Sequence, residues 1–485
     1  MRILLAIGLP LVGGLALFLK HGMEEKKRRI YLEALCLLTT VLVWVCLLTW
    51  KEGVFTLYHF SGGFSIDFGV DGMTKLFAGM VSLMWPLVML YAFEYMKHDK
   101  WTNSFFAFYV MTYGITLAVA FSASILTLYV FFEMLTLITV PLVTHYRNHE
   151  SMWAGRSYAY YLIGGAALGF APVVVLTLLG NEGIFAFGGS ITGAYDPHLL
   201  RILYLFGFFG FGVKAAIFPL HLWLPRASVA PTPVTALLHA VAVVNSGVFA
   251  VGRLIYYSIG PEVLSGSYAQ YISVLMACFT LVYAAVEACR ERHFKRRLAY
   301  STVSNLSYML FGLCLMTPAG MVGGLSHMLF HGIFKMTLFL CAGAFMHLTG
   351  DAYVYQLDGV GKRMPVTFAC YTLAGLSLVG LPLFCGFISK WSLLEAGLAS
   401  GTWDGTLGVF CLILSAVLCA IYTLVPAVRA CFPRAGKDRF LEKKLEKEPL
   451  LMTIPMVVFV IVNFVFGIWP GPIMGFLEKL AQGYL

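Results

Sequence analysis

The chain has 485 residues, 60% hydrophobic and only 12% charged, with a formal net charge of +9. That charged share is about half of what soluble proteins carry, and it excludes a soluble globular class. Apolar stretches of roughly 18 or more residues recur from end to end, each long enough to cross a bilayer as a helix and too continuously apolar for a barrel strand.

The first stretch, 2–20, follows one arginine and looks somewhat like a signal peptide, but Ile3–Phe18 lacks a clear small-x-small cleavage site and reads as a retained helix. Spans at 30–50 and 73–95 are separated by Val54–Val70. There Phe55, Leu57 and His59 alternate with Thr56, Tyr58 and Phe60 around Gly62-Gly63, which predicts an exposed β-hairpin. Spans at 102–122, 124–145 and 156–180 follow, the last with small-xxx-small spacing between Gly164 and Gly169 that suits close helix packing. Those at 199–220 and 230–255 flank a short loop bounded by Pro225, Pro231 and Pro233. Spans at 268–289, 298–317, 321–348, 365–394, 405–430 and 450–470 complete an all-α polytopic membrane protein of about fourteen transmembrane helices.

Lysine and arginine are unevenly placed. Most lie in the loops at 20–29, 97–100, 147–156, 226, 290–297, 362–363 and 429–447. The opposite side carries Arg2, Lys51, Lys75, Arg201, Arg253 and Lys479. The positive-inside rule then puts both termini outside and the basic loops in the cytoplasm. The net charge is this topology signal and calls for no nucleic-acid partner. Lys75, Arg201 and Arg253 sit at span ends and are expected to snorkel, while His221 and His347 read as boundary residues.

Three lysines lie inside spans, where a charge costs several kcal/mol or more. Glu133 is the one ionisable residue of Leu126–Val140. Lys214 sits in Phe206–Pro219 among Gly207, Gly210, Gly212 and Pro219, so its helix is expected to be broken. His239 opens the eighth span, ahead of Asn245 and Ser246. His327, His331 and Lys335 recur every fourth residue and line one helical face, with Ser301, Thr302, Ser304, Asn305 and Ser307 forming a polar face on the span before. Lys390 follows Leu381-Pro382 and Gly386. A Gly/Pro-interrupted span beside a lysine thus occurs in the seventh and twelfth spans, the mark of discontinuous helices in two internal repeats.

Two histidines one turn apart could hold a metal, but Lys335 one turn on would repel it and no HExxH is present, so no metal is expected. The eleven cysteines are scattered singly without CxxC, which suggests buried hydrophobes rather than a zinc or iron–sulfur site. A static Lys–Glu staple is the bland alternative for Glu133 and Lys214. The sharper reading is a proton path. Burial favours a neutral amine and a nearby carboxylate a charged one, so a buried lysine can take up and release a proton, and histidine can pass one between its nitrogens. The expected row is Lys214, His239, His327, His331, Lys335 and Lys390, with Glu133 biasing Lys214.

At these residues a resemblance becomes specific. FFEMLTL around Glu133, GVKAAIFPLHLWLPRASVAPTPVTALLHA at 212–240, KRRLAYSTVSNLSYM at 295–309, HMLFHGIFKMTLFLCAG at 327–343 and LPLFCGFISKW at 381–391 resemble the antiporter-like proton-pumping subunits. These are chains L, M and N of NADH:quinone oxidoreductase, the corresponding subunits of membrane-bound hydrogenases, and those of Mrp-type Na⁺/H⁺ antiporters. The likeness covers roughly residues 65–430. It implies fourteen helices with two inverted five-helix repeats, helices 4–8 and 9–13, and broken helices 7 and 12. Residues 1–100 would hold helices 1–3, 101–257 and 265–430 the repeats, and 431–485 a basic loop and helix 14. By motif position Glu133 and Lys214 match the family's pair and Lys390 the lysine of the second half-channel. His239 matches the eighth-helix histidine of chain-L-like members, whereas many others carry a lysine where this chain has Asn245. The chain ends soon after the fourteenth span, so the lateral helix of chain L is expected to be absent, which leans towards the hydrogenase and Mrp branches.

The expected role is a proton-translocating, antiporter-like subunit of a multi-subunit redox-driven complex, of the membrane-bound hydrogenase or complex I-like kind, without a cofactor, catalytic or redox site of its own. Its partners would be a bilayer, other membrane subunits including further antiporter-like ones, and protons or Na⁺. The location would be a prokaryotic plasma membrane. The competing readings are an Mrp-type antiporter without redox partners and a structural scaffold with a dead channel. Several buried charges argue against the scaffold.

Overall fold

The computed structural model describes every residue except 21–22, 52, 61–62, 181, 193–194, 434–437, 441–445 and 485. Two helices come first, α1 (Arg2–Leu19) and α2 (Glu25–Thr49), then strands β1 (Val54–His59) and β2 (Ser65–Gly69). The strands pair antiparallel with Val54 opposite Gly69. Gly62, expected at the turn, lies outside the described residues, as do parts of the basic loops expected at 20–29 and 429–447. The hairpin is not simply exposed. Ser65, Asp67, Phe68 and Gly69 are buried, because Asp67 accepts hydrogen bonds from Thr56 and Ser65 (2.7 and 2.5 Å) and its N–H donates to Thr127 (2.8 Å).

Helices α3 (Gly72–Tyr95), α4 (Thr102–Ala120), α5 (Ile125–Val143), α6 (His149–Leu179) and α7 (Pro197–Gly212) follow. Several start on side-chain caps that satisfy an orphan N–H: Asp71 for α3, Ser124 for α5, Asn148 for α6 and Asp196 for α7. The small residues of α6 let α7 approach closely. A Cβ on Gly210 would lie 2.4 Å from the Gly169 nitrogen, and one on Gly165 would meet Val213 at 2.6 Å.

A turn leads to the short α8 (Trp223–Arg226), then α9 (Thr232–Ala240), α10 (Val243–Arg253) and a one-turn α11 (Pro261–Leu264). The eighth span, expected to be one helix, is thus interrupted at Val241-Ala242, and its last stretch, Leu254–Ile259, widens to a π-helix that stops at Gly260 (φ 96°). The rest comprises α12 (Tyr268–Arg290), α13 (Phe294–Cys314), α14 (Pro318–Thr349), α15 (Pro365–Val379), α16 (Cys385–Ala399), α17 (Trp403–Cys431), α18 (Leu450–Ile468) and an unanticipated α19 (Gly471–Ala481).

Among the described residues eleven helical segments are long and apolar enough to cross a membrane. The spans expected at 199–220, 298–317 and 365–394 are not in that set. α7 has 16 residues and α15 and α16 have 15 each, while α13 is long enough but polar along one side. The most apolar segments lie outermost: in α1, α2, α17 and α18 only 39% of the spanning window is buried, against all of it in α14 and in 232–259. That is the order expected where lipid, not water, is the solvent.

Candidate functional site

The seventh span stops at Gly212, and Lys214 sits in the turn beyond it with Ala216 at φ 54°. Backbone groups freed by the break find side chains: Trp223 Nε1 donates to the Val213 carbonyl (2.8 Å), and Phe218 N donates to Thr280 Oγ1 (3.1 Å). The segment 365–394, expected to be one interrupted span, breaks between α15 and α16, where Leu383 has φ 76° and Gly380 is left-handed. There Cys385 N donates to Asn463 Oδ1 (3.3 Å) and Gly386 N to Ser377 Oγ (3.2 Å). At the third break, within the eighth span, Asn245 Nδ2 donates to the Ala240 carbonyl (2.9 Å), closing the free end of α9 beside His239.

The ionisable residues fall into two groups. In the first, Lys214 is fully buried, donates to the Phe132 carbonyl and lies 3.7 Å from the centre of the Phe132 ring. Glu133, the next residue on α5, makes no direct ion pair with it, and Glu133 Oε1 is buried with no hydrogen-bond partner among the described residues.

The second group spans α9, α13, α14 and α16. Lys335 donates to the Leu298 carbonyl (3.2 Å) and to Ser301 Oγ. The Ser301 carbonyl accepts from Asn305 Nδ2 (2.7 Å), Asn305 Oδ1 faces His327 Nε2 (3.1 Å), and His327 Nδ1 faces Ser389 Oγ (2.9 Å). Lys390 follows Ser389 and donates to the last carbonyls of α15, Leu378 (2.6 Å) and Val379 (3.2 Å). One connected network therefore runs from Lys335 to the neighbour of Lys390. His331, 6.3 Å from His327 ring to ring, and His239, 4.9 Å from the Phe339 ring, are fully buried with no hydrogen-bond partner on either nitrogen among the described residues. No hydrogen bond among the described residues joins Lys214 to His239, so the two groups meet only across a gap.

Reading the sequence misplaced three residues. Lys295, counted in a basic loop, is 3% exposed and donates to the Ala230 carbonyl (2.7 Å). Its signal was the clash between a loop-like KRR and the helix that starts at Phe294. Arg253 does not snorkel. It is 1% exposed and pairs with Asp71, Nη2 to Oδ1 at 2.8 Å, because the hairpin and α3 bring that carboxylate to it. His221, read as a boundary residue, is also buried, stacked on Phe218. Among the described residues no group of three or more His, Cys, Asp or Glu side chains could hold a metal ion.

The surroundings of His327 suit proton exchange. With Asn305 Nδ2 committed to Ser301, Oδ1 must accept from His327 Nε2–H. A neutral ring then needs Ser389 to donate to Nδ1. A protonated ring donates from Nδ1 itself, and the Ser389 hydroxyl can turn to the Gly386 carbonyl (3.3 Å). Both protonation states are therefore hydrogen-bonded without moving a heavy atom.

A family described as NADH:quinone oxidoreductase/Mrp antiporter, TM, matches residues 122–417, and one described as NADH-Ubiquinone oxidoreductase (complex I), chain 5 N-terminus, matches 59–106. The F(420)H(2) dehydrogenase subunit L of Methanosarcina mazei is 31% identical over 449 residues, covering 86% of this chain and 65% of that protein. The NADH-quinone oxidoreductase subunit L of Mycobacterium tuberculosis is 30% identical, covering 83% and 63%. A Na(+)/H(+) antiporter subunit of Alkalihalophilus pseudofirmus is also 30% identical, covering 84% and 53%. The chain thus spans about 65% or less of the length of these relatives. Chains in three solved assemblies share the fold. They come from the membrane-bound sulfane sulfur reductase, an archaeal respiratory membrane complex (TM-score 0.81, 23% identity, 100% of this chain and 98% of that one), and from respiratory complex I of Thermus thermophilus (0.83, 23%, 100% and 100%). The third belongs to the Mrp complex of a Dietzia species (0.84, 21%, 99% and 51%).

Proposed function

The chain belongs to the NADH:quinone oxidoreductase/Mrp antiporter transmembrane family, and on that premise we propose that it is the proton-translocating, antiporter-like subunit of a multi-subunit complex in a prokaryotic plasma membrane, driven by redox chemistry in other subunits. The observation that carries this is the network on α13, α14 and α16, where His327 keeps its hydrogen bonds in either protonation state between Lys335 and Lys390. A static scaffold has no use for a buried ring so arranged.

In this reading fourteen helices cross the membrane. α7 and α8 make up the broken seventh helix, α15 and α16 the broken twelfth, and helices 4–8 and 9–13 form two inverted repeats. Both termini face outward and the basic loops face the cytoplasm. Glu133 and Lys214 serve one half-channel, Lys390 the other. His239, His331, His327 and Lys335 join them, with Lys295 supplying His239 from the side of the basic loops. Water bridges the gap between Lys214 and His239, where the short Asn245 caps α9 and leaves no second amine. The protein's own groups hold and pass protons; the driving reaction belongs to its partners, further antiporter-like subunits among them.

The test is Lys214→Ala in the intact complex reconstituted in liposomes, with proton uptake followed by a pH dye and the driving reaction measured separately. Uptake is expected to fall while assembly persists. Unchanged uptake in a normally assembled complex would sink the assignment. A second reading, membership of a Na⁺/H⁺ antiporter without redox partners, is favoured by the likeness to the Alkalihalophilus protein. It predicts proton movement driven by a Na⁺ gradient alone.

A further inference from the structure

On the hairpin side of the molecule a groove lies between α2, α3, α14 and α18, closed at one end by α19, with a volume of about 550 Å³. None of the buried ionisable row lines it. Along α3 it follows Lys75, Gly79, Leu83 and Leu87, positions one turn apart on a single face. That stripe is roughly 18 Å long at 1.5 Å per residue, a little over half of a hydrocarbon core of about 30 Å. Gly79 forms part of the floor against Leu47 and Trp44, which a Cβ there would meet at ordinary contact distance (3.8 Å), so a side chain as large as leucine would fill the groove. Leu83 is 54% exposed, so the groove opens sideways.

The lining is apolar except at one end. Lys75 is in the first turn of α3; its backbone N–H donates to the Asp71 carbonyl (2.9 Å), and its ammonium makes no hydrogen bond or ion pair with any described residue. It also borders a second, polar cavity of about 470 Å³ that holds Asp71, Thr74, Trp50 and Arg253. Asp71 and Arg253 pair with each other there, which leaves the ammonium of Lys75 as the unpaired charge among the described residues lining the cavity. The occupant that fits has an apolar tail one leaflet long, an anionic group at its head and a polar remainder. A transmembrane helix of another subunit would need a face about as long as the hydrocarbon core, whereas the stripe on α3 measures roughly 18 Å of about 30 Å.

We propose that the groove is a binding site for an anionic phospholipid, with the phosphate on Lys75, the head group in the polar cavity and one acyl chain along the α3 stripe. A tryptophan at the rim, here Trp50, is the usual companion of a lipid head-group region. The inference needs only that the chain sits in a bilayer and stands apart from the proton path.

The test uses the intact complex in phosphatidylcholine vesicles doped with phosphatidylglycerol or phosphatidylcholine carrying a diazirine on the acyl chain, with adducts mapped by mass spectrometry after irradiation. Phosphatidylglycerol should label the Leu83 region about fivefold more than phosphatidylcholine at equal mole fraction, the preference of about 1 kcal/mol that one lysine confers at a membrane surface. Lys75→Ala should abolish the preference while acyl labelling persists, and Gly79→Leu should abolish labelling by either lipid. Equal labelling by the two lipids in the unaltered protein would overturn the head-group assignment without recourse to any variant. So would the absence of lipid adducts together with capture of another subunit by a photoreactive residue in place of Leu83.

Discussion

Ser389 hydrogen-bonds His327, and His293 caps α13 under the influence of its charged neighbours. Ser389→Ala removes the hydroxyl that serves His327 in both protonation states. One lost buried hydrogen bond of about 1–2 kcal/mol corresponds to roughly a tenfold slower proton uptake in liposomes, with Ser389→Thr retaining most of the rate. An equal rate in both variants would remove Ser389 from the path. Outside the spans, His293 caps α13, its Nδ1 accepting from Arg296 N (3.4 Å). Burial, and then the charges of Arg296 and Lys295, hold its pKa down to about 4. The unfolded chain binds the proton near pH 6.5, so the neutral cap contributes its full stability above that value. The contribution is lost as pH falls from about 6.5 towards 4. The thermal midpoint in detergent should therefore drop between pH 7 and pH 5, and drop less in His293→Asn, which keeps a capping side chain but cannot titrate.

At the scale of elements, the interruptions depend on backbone approaches that only glycine permits. A Cβ on Gly247 of α10 would lie 2.4 Å from the Ala215 nitrogen, against the turn that carries Lys214. Gly247→Ala is expected to push α10 off that turn, costing about 1–3 kcal/mol of stability and displacing Lys214. Thermal unfolding and proton uptake, measured together, check this, since a variant as stable and as active as the parent would mean that the approach carries no function. The breaks at Gly212 and Gly380 were legible because Gly and Pro crowd there and cannot sustain a helix. The break at Val241-Ala242 was not, since valine and alanine carry no such signal. It exists because Asn245 can bond the Ala240 carbonyl once α9 is held against α14. The burial of β2 was likewise invisible, as its alternation fits exposure equally well until α5 supplies Thr127.

At the scale of the molecule, the uneven placement of lysine and arginine makes sidedness testable. A cysteine at Tyr58, on the exposed strand of the hairpin, should react with an impermeant maleimide in intact cells, and one at Lys100 only after permeabilisation; the reverse pattern would invert the topology. The sequence by itself determined that the chain is a helical membrane protein, roughly where most of its long helices lie, and that Glu133, Lys214, His239, His327, His331, Lys335 and Lys390 fall within apolar segments. Hydropathy and Gly/Pro punctuation are local properties, and a charge within an apolar run is conspicuous wherever the helices go. Which of those residues touch was decided by the tertiary structure alone. That Lys335 reaches Ser301, that His327 sits between Asn305 and Ser389, that Lys214 bonds the Phe132 carbonyl rather than Glu133, and that Arg253 meets Asp71 all join residues on different elements. Contacts of that kind depend on helix rotation and depth, which helix packing sets and no local pattern encodes.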